Sequence, residues 1–158
     1  MSNTALNLMF HYLHPTRTDL PYSVTPGAFR LQLVTQLEAG RRPARLADYL
    51  GPEPPGPGAF TVSFDDAHDS VLLAAPILEE LEVSATLFVP TGVVGQVDWA
   101  LGWDELRELA DRGWTIGAHG HRHRRWSWRR YGESAAGRQA RLEADVRTCV
   151  DLLRRHVG

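Results

Sequence analysis

Two short groups of polar residues have side chains that could together bind and use a metal ion. Asp65 and Asp66 end one apolar run, and His119 and His123 follow another apolar run about fifty residues later. One carboxylate and two imidazoles can hold a divalent ion and leave coordination positions open. A second carboxylate beside that ion can act as a base toward water. These residue types and their places therefore predict a metal-dependent hydrolase.

Each group also has an ordinary structural interpretation. Aspartate favours turns and helix N-caps, so the Asp65-Asp66 pair alone predicts a loop between a strand and a helix. The histidine pair shares its stretch with three arginines, which is typical of a solvated basic loop: Arg122, Arg124 and Arg125. The metal site is favoured because both groups occur together, each at the end of a predicted strand.

The geometry of the histidine segment depends on whether the chain is extended there. In an extended chain His119, His121 and His123 share one face, because side chains alternate with a period of two. In a turned chain only the two outer histidines converge. Gly120 relaxes the backbone and makes a turn easy. We expect the turned form, with His121 at the rim of the site or on the surface.

The same residues carry a resemblance to a known family. The first motif of polysaccharide deacetylases (the NodB-homology, carbohydrate esterase family 4 group) is similar to Ser63-Phe64-Asp65-Asp66-Ala67. Their second motif is similar to His119-Gly120-His121-Arg122-His123. Other segments that fit the family lie at 8–11, 76–81, 85–90 and 103–109. The resemblance therefore spans nearly the whole chain.

The resemblance implies a role for each of these side chains. Asp66, His119 and His123 would bind a divalent metal ion, with Zn²⁺ favoured and Co²⁺, Ni²⁺ or Mn²⁺ as alternatives. Asp65 would be the catalytic general base that activates a metal-bound water. The implied reaction is hydrolysis of a non-peptide carbon–nitrogen bond, namely removal of acetyl from an N-acetylated sugar or polysaccharide.

The sequence departs from the family pattern in two places. Gly120 stands where the family has a serine or threonine, whose hydroxyl helps to fix the loop. The family's later motifs, an Arg-x-Pro-Tyr-like, an Asp-Trp and a Leu-x-His segment, do not follow His123. We therefore expect residues 1–158 to form one deacetylase-like domain that is incomplete at its C-terminus and weakly active or inactive alone.

Two other functions stay open at this point. Relatives of the same fold hydrolyse cyclic amides and ureides, so that reaction is an alternative. The second alternative is a non-catalytic module that binds a metal or a glycan and lacks the second half of the barrel. If half of the barrel is missing, a second copy of the chain or a partner chain would complete it.

Composition limits the chemistry and the partners. The net charge is −2, so nothing predicts nucleic acid as a partner. All seventeen Lys and Arg residues are Arg, which excludes a Schiff-base lysine and a P-loop. Cys149 is the only cysteine, so no intrachain disulfide can form. The sequence has neither a membrane-spanning stretch nor a signal segment, so we expect a cytoplasmic protein with no membrane partner.

Strand and helix patterns alternate along the chain. The strands are predicted at 6–10, 60–65, 85–90 and 114–118. The first helix is predicted to begin after an N-cap at Thr25, and the others lie at about 69–81, 103–112 and 134–156. Four β–α units predict an α/β fold with parallel strands, and the family resemblance makes it a partial (β/α) barrel. The carboxyl ends of parallel strands gather functional residues, so both motifs should meet at one edge.

Further side chains are candidates for roles around the site. His11 follows the first strand and is a candidate to support the site from behind the metal ligands. Trp103 is the best candidate for stacking on a sugar ring, ahead of Trp99, Trp126 and Trp128, although packing is the ordinary role of tryptophan. His68 is expected at the surface. Cys149 is expected in the core, on the apolar stripe of the last helix: Leu142, Val146, Cys149, Val150, Leu153 and Val157.

Overall fold

Strands and helices alternate in a computed structural model of the chain, which describes residues 5–17, 19, 21–125 and 127–158. The strands are Leu6–Phe10 (β1), Tyr12–Leu13 (β2), Ser23–Val24 (β3), Arg42–Pro43 (β4), Ala59–Asp65 (β5), Ala85–Val89 (β6) and Thr115–Ala118 (β7). The α-helices are Pro26–Glu38 (α1), Ala75–Glu80 (α2), Trp103–Asp111 (α3) and Ala135–His156 (α4). Two 3₁₀ helices lie at Leu46–Leu50 and Asp69–Leu73.

β5 lies at the centre of the main sheet, and its residues are buried along almost its whole length. Such a continuous buried run is typical of a strand with parallel neighbours on both sides. β1 and β6 pair with β5 in parallel, β7 pairs with β6, and the short β4 pairs with the beginning of β5. Among the described residues the sheet stays open and does not close into a barrel.

The core on one side of this sheet is built from aromatic and aliphatic side chains. Phe29 of α1 meets Phe10 edge-on, with ring centroids 4.9 Å apart, and it also contacts Phe64 of β5. Trp114 stacks on the same Phe64. Phe29 and Phe64 are fully buried, because α1 and β5 turn these apolar side chains toward each other.

The four main strands occur where the sequence predicts them, within one residue at each end, and the partial α/β barrel prediction is confirmed. The prediction of one helix over 69–81 was wrong. A 3₁₀ helix ends at Leu73 and α2 begins at Ala75, because Pro76 has no N–H to donate and its ring would clash with the carbonyl of Leu72. The two-residue strands β2, β3 and β4 were not predicted.

α4 begins at its N-cap Ser134, whose hydroxyl accepts a hydrogen bond from Gly137 N, and it ends within a basic last turn. Cys149 is fully buried, as predicted, and its Sγ lies 3.4 Å from the carbonyl oxygen of Val89. Three other members of the predicted stripe are only half-buried and line a shallow groove on the outer side of α4: Leu142, Val146 and Val150. No helix in the described part of the chain is long and apolar enough to cross a membrane.

Candidate metal centre

The carboxyl ends of three neighbouring strands bring the two motifs together. Asp65 ends β5 and is in register with Phe88 of β6. β6 in turn pairs with β7 up to Ala118, and the next residue, His119, donates its backbone N–H to the carbonyl of Val89 at 3.0 Å. The Asp pair and the first histidine therefore lie at the same edge of the sheet, with only β6 between their strands.

Asp66, His119 and His123 form a compact set of three donor groups. One donor atom from each lies within 4.8 Å of the others. Asp66 Oδ1 is 2.9 Å from His123 Nε2 and 3.4 Å from His119 Nε2. This spacing fits one divalent ion bound by a carboxylate oxygen and two imidazole nitrogens.

The oxygen at the centre of this set lacks a hydrogen-bond partner. Asp66 Oδ1 is buried, and no described group meets it with the alignment of a hydrogen bond. A buried carboxylate oxygen this close to two imidazole nitrogens calls for a positive charge beside it, and a bound cation would supply one. The residues present therefore fit a metal ion, with Asp66, His119 and His123 as its ligands.

The backbone at the ligands is held in an unusual conformation. Asp66, Ala67 and His123 have φ angles of 76°, 53° and 47°, in the left-handed region that non-glycine residues rarely adopt. The turn after Asp66 is fixed by a 3.0 Å hydrogen bond from Leu101 N to the carbonyl of Ala67. Such local strain persists where the surrounding structure imposes it, and it is concentrated at functional sites.

The histidine segment turns, so that His121 points away from the ligand set. Gly120 has a φ of +80°, and the His121 ring nitrogen Nδ1 lies 3.0 Å from Thr91 Oγ1. The carbonyl of His121 accepts a 2.8 Å hydrogen bond from Gly92 N. The turned form was expected, with His121 at the rim or on the surface, and His121 is half-buried beside Thr91.

A carboxylate from α4 holds the other side of this turn. Asp145 Oδ2 accepts a hydrogen bond from His121 N at 2.9 Å, and Oδ1 accepts one from Arg122 N at 3.2 Å. A Cβ added to Gly120 would lie only 2.9 Å from Asp145 Oδ2. Asp145 and Thr91 therefore support the loop where the family's usual hydroxyl is replaced by Gly120. Sequence reasoning missed Asp145, and its only signal was an acidic residue beside the apolar stripe of α4.

The two aspartates differ in their electrostatic surroundings. Burial raises the pKa of Asp65 and outweighs the nearby histidines, which act in the opposite direction. The imidazole of His119 lowers the pKa of Asp66, and Asp66 in turn raises the pKa of His119. Asp66 is thus held as the anion that a cation requires, whereas Asp65 gains affinity for a proton.

His11 reaches the same edge of the sheet. Its ring packs on Tyr22, with centroids 4.9 Å apart, and its charge helps to lower the pKa of both Asp65 and Asp66. His11 is not one of the three grouped donor residues. Its role as a supporting residue behind the ligands stays a prediction.

Other predicted side chains take different places. Trp103 stacks on His156 at the end of α4, at a centroid distance of 4.4 Å, and its contact with a sugar ring stays a prediction. His68 was expected at the surface, but it is half-buried between the rings of Tyr12 and Trp99 and caps the 3₁₀ helix that follows it. Trp99 is 42% exposed beside this stack. Trp126 lies outside the described residues.

Comparisons with known proteins concern the family and the fold of the chain. Residues 53–158 match the family model for polysaccharide deacetylase. No match was found among curated proteins.

Solved structures with the same fold include the deacetylase PplD of Streptococcus pyogenes, determined with acetate. It is 18% identical with a TM-score of 0.81, and the match covers 99% of this chain and 70% of that one. IcaB from Ammonifex degensii is 21% identical with a TM-score of 0.77, covering 98% and 72%. A de-N-acetylase from Aggregatibacter actinomycetemcomitans is 15% identical with a TM-score of 0.83, covering 98% and 75%.

Proposed function

The chain belongs to the polysaccharide deacetylase family, and from that premise we propose that it is a metal-dependent deacetylase of N-acetylated sugars. The reaction is hydrolysis of the bond between an acetyl carbon and a sugar nitrogen. Water is the nucleophile, and acetate and a free amine are the products. The enzyme would need one divalent ion and no covalent intermediate.

One observation carries the proposal, namely the buried Asp66 Oδ1 that lacks a hydrogen-bond partner but has two imidazole nitrogens beside it. When bound, a divalent ion lowers the pKa of water and polarises an acyl oxygen. Asp66, His119 and His123 would hold that ion. Asp145 and Thr91 would keep the two histidines in position by fixing the turn between them.

Asp65 is the residue best placed to move the proton. Its side chain is 16% exposed, and its Oδ2 lies 4.0 Å from His119 Nε2, so it adjoins the ligand set without belonging to it. Burial raises its pKa, which brings a carboxylate closer to the range in which a general base works well at neutral pH. Asp65 would take one proton from the attacking water and return it to the sugar nitrogen, so that the amine departs when the carbon–nitrogen bond breaks.

The sugar would lie against exposed aromatic surface near the Asp pair. Trp99 stacks on the ring of His68, and His68 lies two residues after Asp66. Trp99 is 42% exposed to solvent. An aromatic face of this kind can pack on the apolar face of a sugar ring. Trp99 is therefore a better candidate for this contact than Trp103, whose ring is stacked on His156.

Acetate release from metal-loaded protein tests the proposal, with N-acetylglucosamine oligomers as substrate. We expect slow release by the 158-residue chain, lower by about 100-fold or more in Asp65→Asn and abolished by a chelator. Asp69→Asn is the matched control, because Asp69 is an exposed carboxylate four residues away, and it should leave the rate unchanged.

Two results would contradict the proposal. One is equal acetate release by the parent chain and Asp65→Asn. The other is hydrolysis of a cyclic ureide such as hydantoin without any acetate release from the sugar, which would favour the alternative carbon–nitrogen hydrolase.

A further inference from the structure

A second concave site adjoins the loop that carries the ligand histidines. It is a cavity of about 330 Å³ between the segment after His121 and α4. Its polar walls come from arginine, tryptophan and aspartate side chains: Arg122, Arg124, Trp128, Arg130, Arg141 and Asp145. The mechanism described above uses none of the arginines.

The negative groups in and around this cavity are already bound to partners. Glu133 holds Arg141 through two hydrogen bonds of 2.7 and 2.9 Å, and that contact lowers the pKa of Glu133 to about 2. Both oxygens of Asp145 accept hydrogen bonds from the backbone of the loop. In the part of the chain that the structure describes, the guanidinium groups of Arg122 and Arg124 have no ion pair. The cavity therefore carries an excess of positive charge.

Trp128 organises two of the arginines. The Cζ atom of Arg124 lies 5.0 Å from the Trp128 ring centroid, and that of Arg141 lies 5.1 Å from it. Cation–π contacts of this kind fix the direction of a flexible side chain. The indole is still 41% exposed, so part of its ring is open to a ligand. A solvated basic loop needs neither the shared cavity nor the shared ring.

We propose that this cavity binds an oxyanion, a phosphate or a carboxylate, carried by the polysaccharide substrate. Guanidinium groups pair with both anions through two parallel hydrogen bonds. The open part of Trp128 would pack on the sugar that bears the anion. That a polysaccharide carries the anion rests on the proposed function. The cavity and the metal ligands share one loop, so a long glycan can reach both.

The proposal gives the site a preference among glycans. An anion between Arg122 and Arg124 relieves the repulsion of like charges that share one cavity. A neutral oligomer gains only the ring contact. Anionic oligomers should therefore bind more tightly than neutral ones of equal length, and the difference should shrink as salt screens the charges.

Calorimetric titration of the full chain tests this with three hexasaccharides. They are neutral chitohexaose, phosphorylated chitohexaose and a hyaluronan hexamer, whose anions are carboxylates. We expect at least about tenfold tighter binding of one or both anionic oligomers at low salt, and loss of that advantage in Arg124→Gln. Whichever anionic arm binds more tightly identifies phosphate or carboxylate as the group.

Two variants separate the cavity from diffuse charge. Arg129→Gln is the matched control, because it removes the same charge from the same stretch at a residue that does not line the cavity. It should keep the preference for anionic oligomers. Arg124→Lys keeps the charge but not the paired hydrogen bonds, so its preference for anionic oligomers should lie between those of the parent and Arg124→Gln. Thermal unfolding of each variant establishes that it folds.

The outcomes also separate this site from the metal site. His119→Ala should lose acetate release but keep the anion preference. Equal acetate release by the parent chain and Asp65→Asn, with the Arg124-dependent preference intact, would overturn the proposed function alone. Equal binding of all three oligomers, or equal losses in Arg124→Gln and Arg129→Gln, would overturn the cavity proposal. Tighter binding of a single-stranded DNA hexamer would overturn the glycan as its ligand.

Discussion

The carboxylate of Asp145 accepts a 2.9 Å hydrogen bond from the backbone N–H of His121, and this bond ties α4 to the turn between the two ligand histidines. The same carboxylate also accepts from Arg122 N at 3.2 Å. Thr91 and Gly92 hold the opposite side of the turn. The spacing between His119 and His123 is thus set by two segments that contribute no ligand.

The Asp145 contact predicts a loss of metal affinity when it is removed. Asp145→Ala should weaken metal binding by about 10–100-fold, because groups that orient metal ligands typically contribute that much. Asp145→Asn should recover part of the loss, since its amide oxygen still accepts a hydrogen bond. Competition with a zinc-binding dye measures the affinity. Asp151→Ala, an exposed change on the same helix, should have no effect, and an equal loss in Asp151→Ala would contradict the role of Asp145.

Gly120→Ser tests whether the family's usual residue would be tolerated here. We expect it to lower the free energy of unfolding by about 1–2 kcal/mol, because a side chain is disfavoured at a φ of +80°. It should also weaken metal binding, because the new Cβ would push Asp145 away from the loop. Urea unfolding and the dye competition measure the two effects.

Gly132→Ser is the matched control for that change. Gly132 also has a positive φ, of 71°, but nothing lies within 4 Å of the position of its Cβ. It should lose stability without losing metal affinity. Full metal affinity in Gly120→Ser would show that a side chain at residue 120 does not displace the Asp145 carboxylate from the loop.

The grouping of Asp66, His119 and His123 could be predicted from the sequence because these residue types are distinctive and each motif ends a predicted strand. Asp145 could not be predicted, since it lies 24 residues beyond its partner His121 and only the packing of α4 brings the two together. The arginine cavity could not be predicted for the same reason, since about half of its lining residues belong to α4. The arginine-rich segment is typical of a loop, and the sequence does not predict the conformation of that loop.

Errors in the fold prediction have equally local causes. The break between the 3₁₀ helix and α2 follows from Pro76, which cannot continue a helix from the residues before it. Strands of two residues such as β2 and β4 are too short to show any period. The α4 stripe had the right helical spacing, yet spacing cannot tell whether a neighbour covers Leu142 and Val150.

The Glu133–Arg141 ion pair predicts how stability depends on pH. The folded pKa of Glu133 is about 2, below its ordinary value of 4.5, so the pair stabilises the fold above about pH 4.5. That contribution is lost as the pH falls from 4.5 toward 2. Glu133→Gln should therefore be less stable than the parent at pH 7, and the difference should vanish near pH 2. Thermal unfolding between these pH values checks it, and a difference that is independent of pH would contradict it.

The half-buried stripe on α4 predicts self-association of the 158-residue chain. Leu142, Val146 and Val150 are spaced by four residues and line a groove that no described segment fills. An exposed apolar face of this kind favours contact with a second copy or a partner chain. Val150→Glu should reduce the mass measured by light scattering. Leu31→Glu adds the same charge to an exposed leucine of α1 and should leave the mass unchanged, whereas a parent chain that is monomeric at all concentrations would contradict the prediction.

Metal content is the most direct test of the central claim that Asp66, His119 and His123 form one metal site. Elemental analysis after dialysis against excess Zn²⁺ and then buffer should give about one ion per chain for the parent protein. Asp66→Ala and His119→Ala should each lose most of that ion, because so few ligands share it. His156→Ala is the control, since that ring stacks on Trp103 and is not a ligand, and it should keep the ion. Equal metal content in the parent and in both ligand variants would contradict the account.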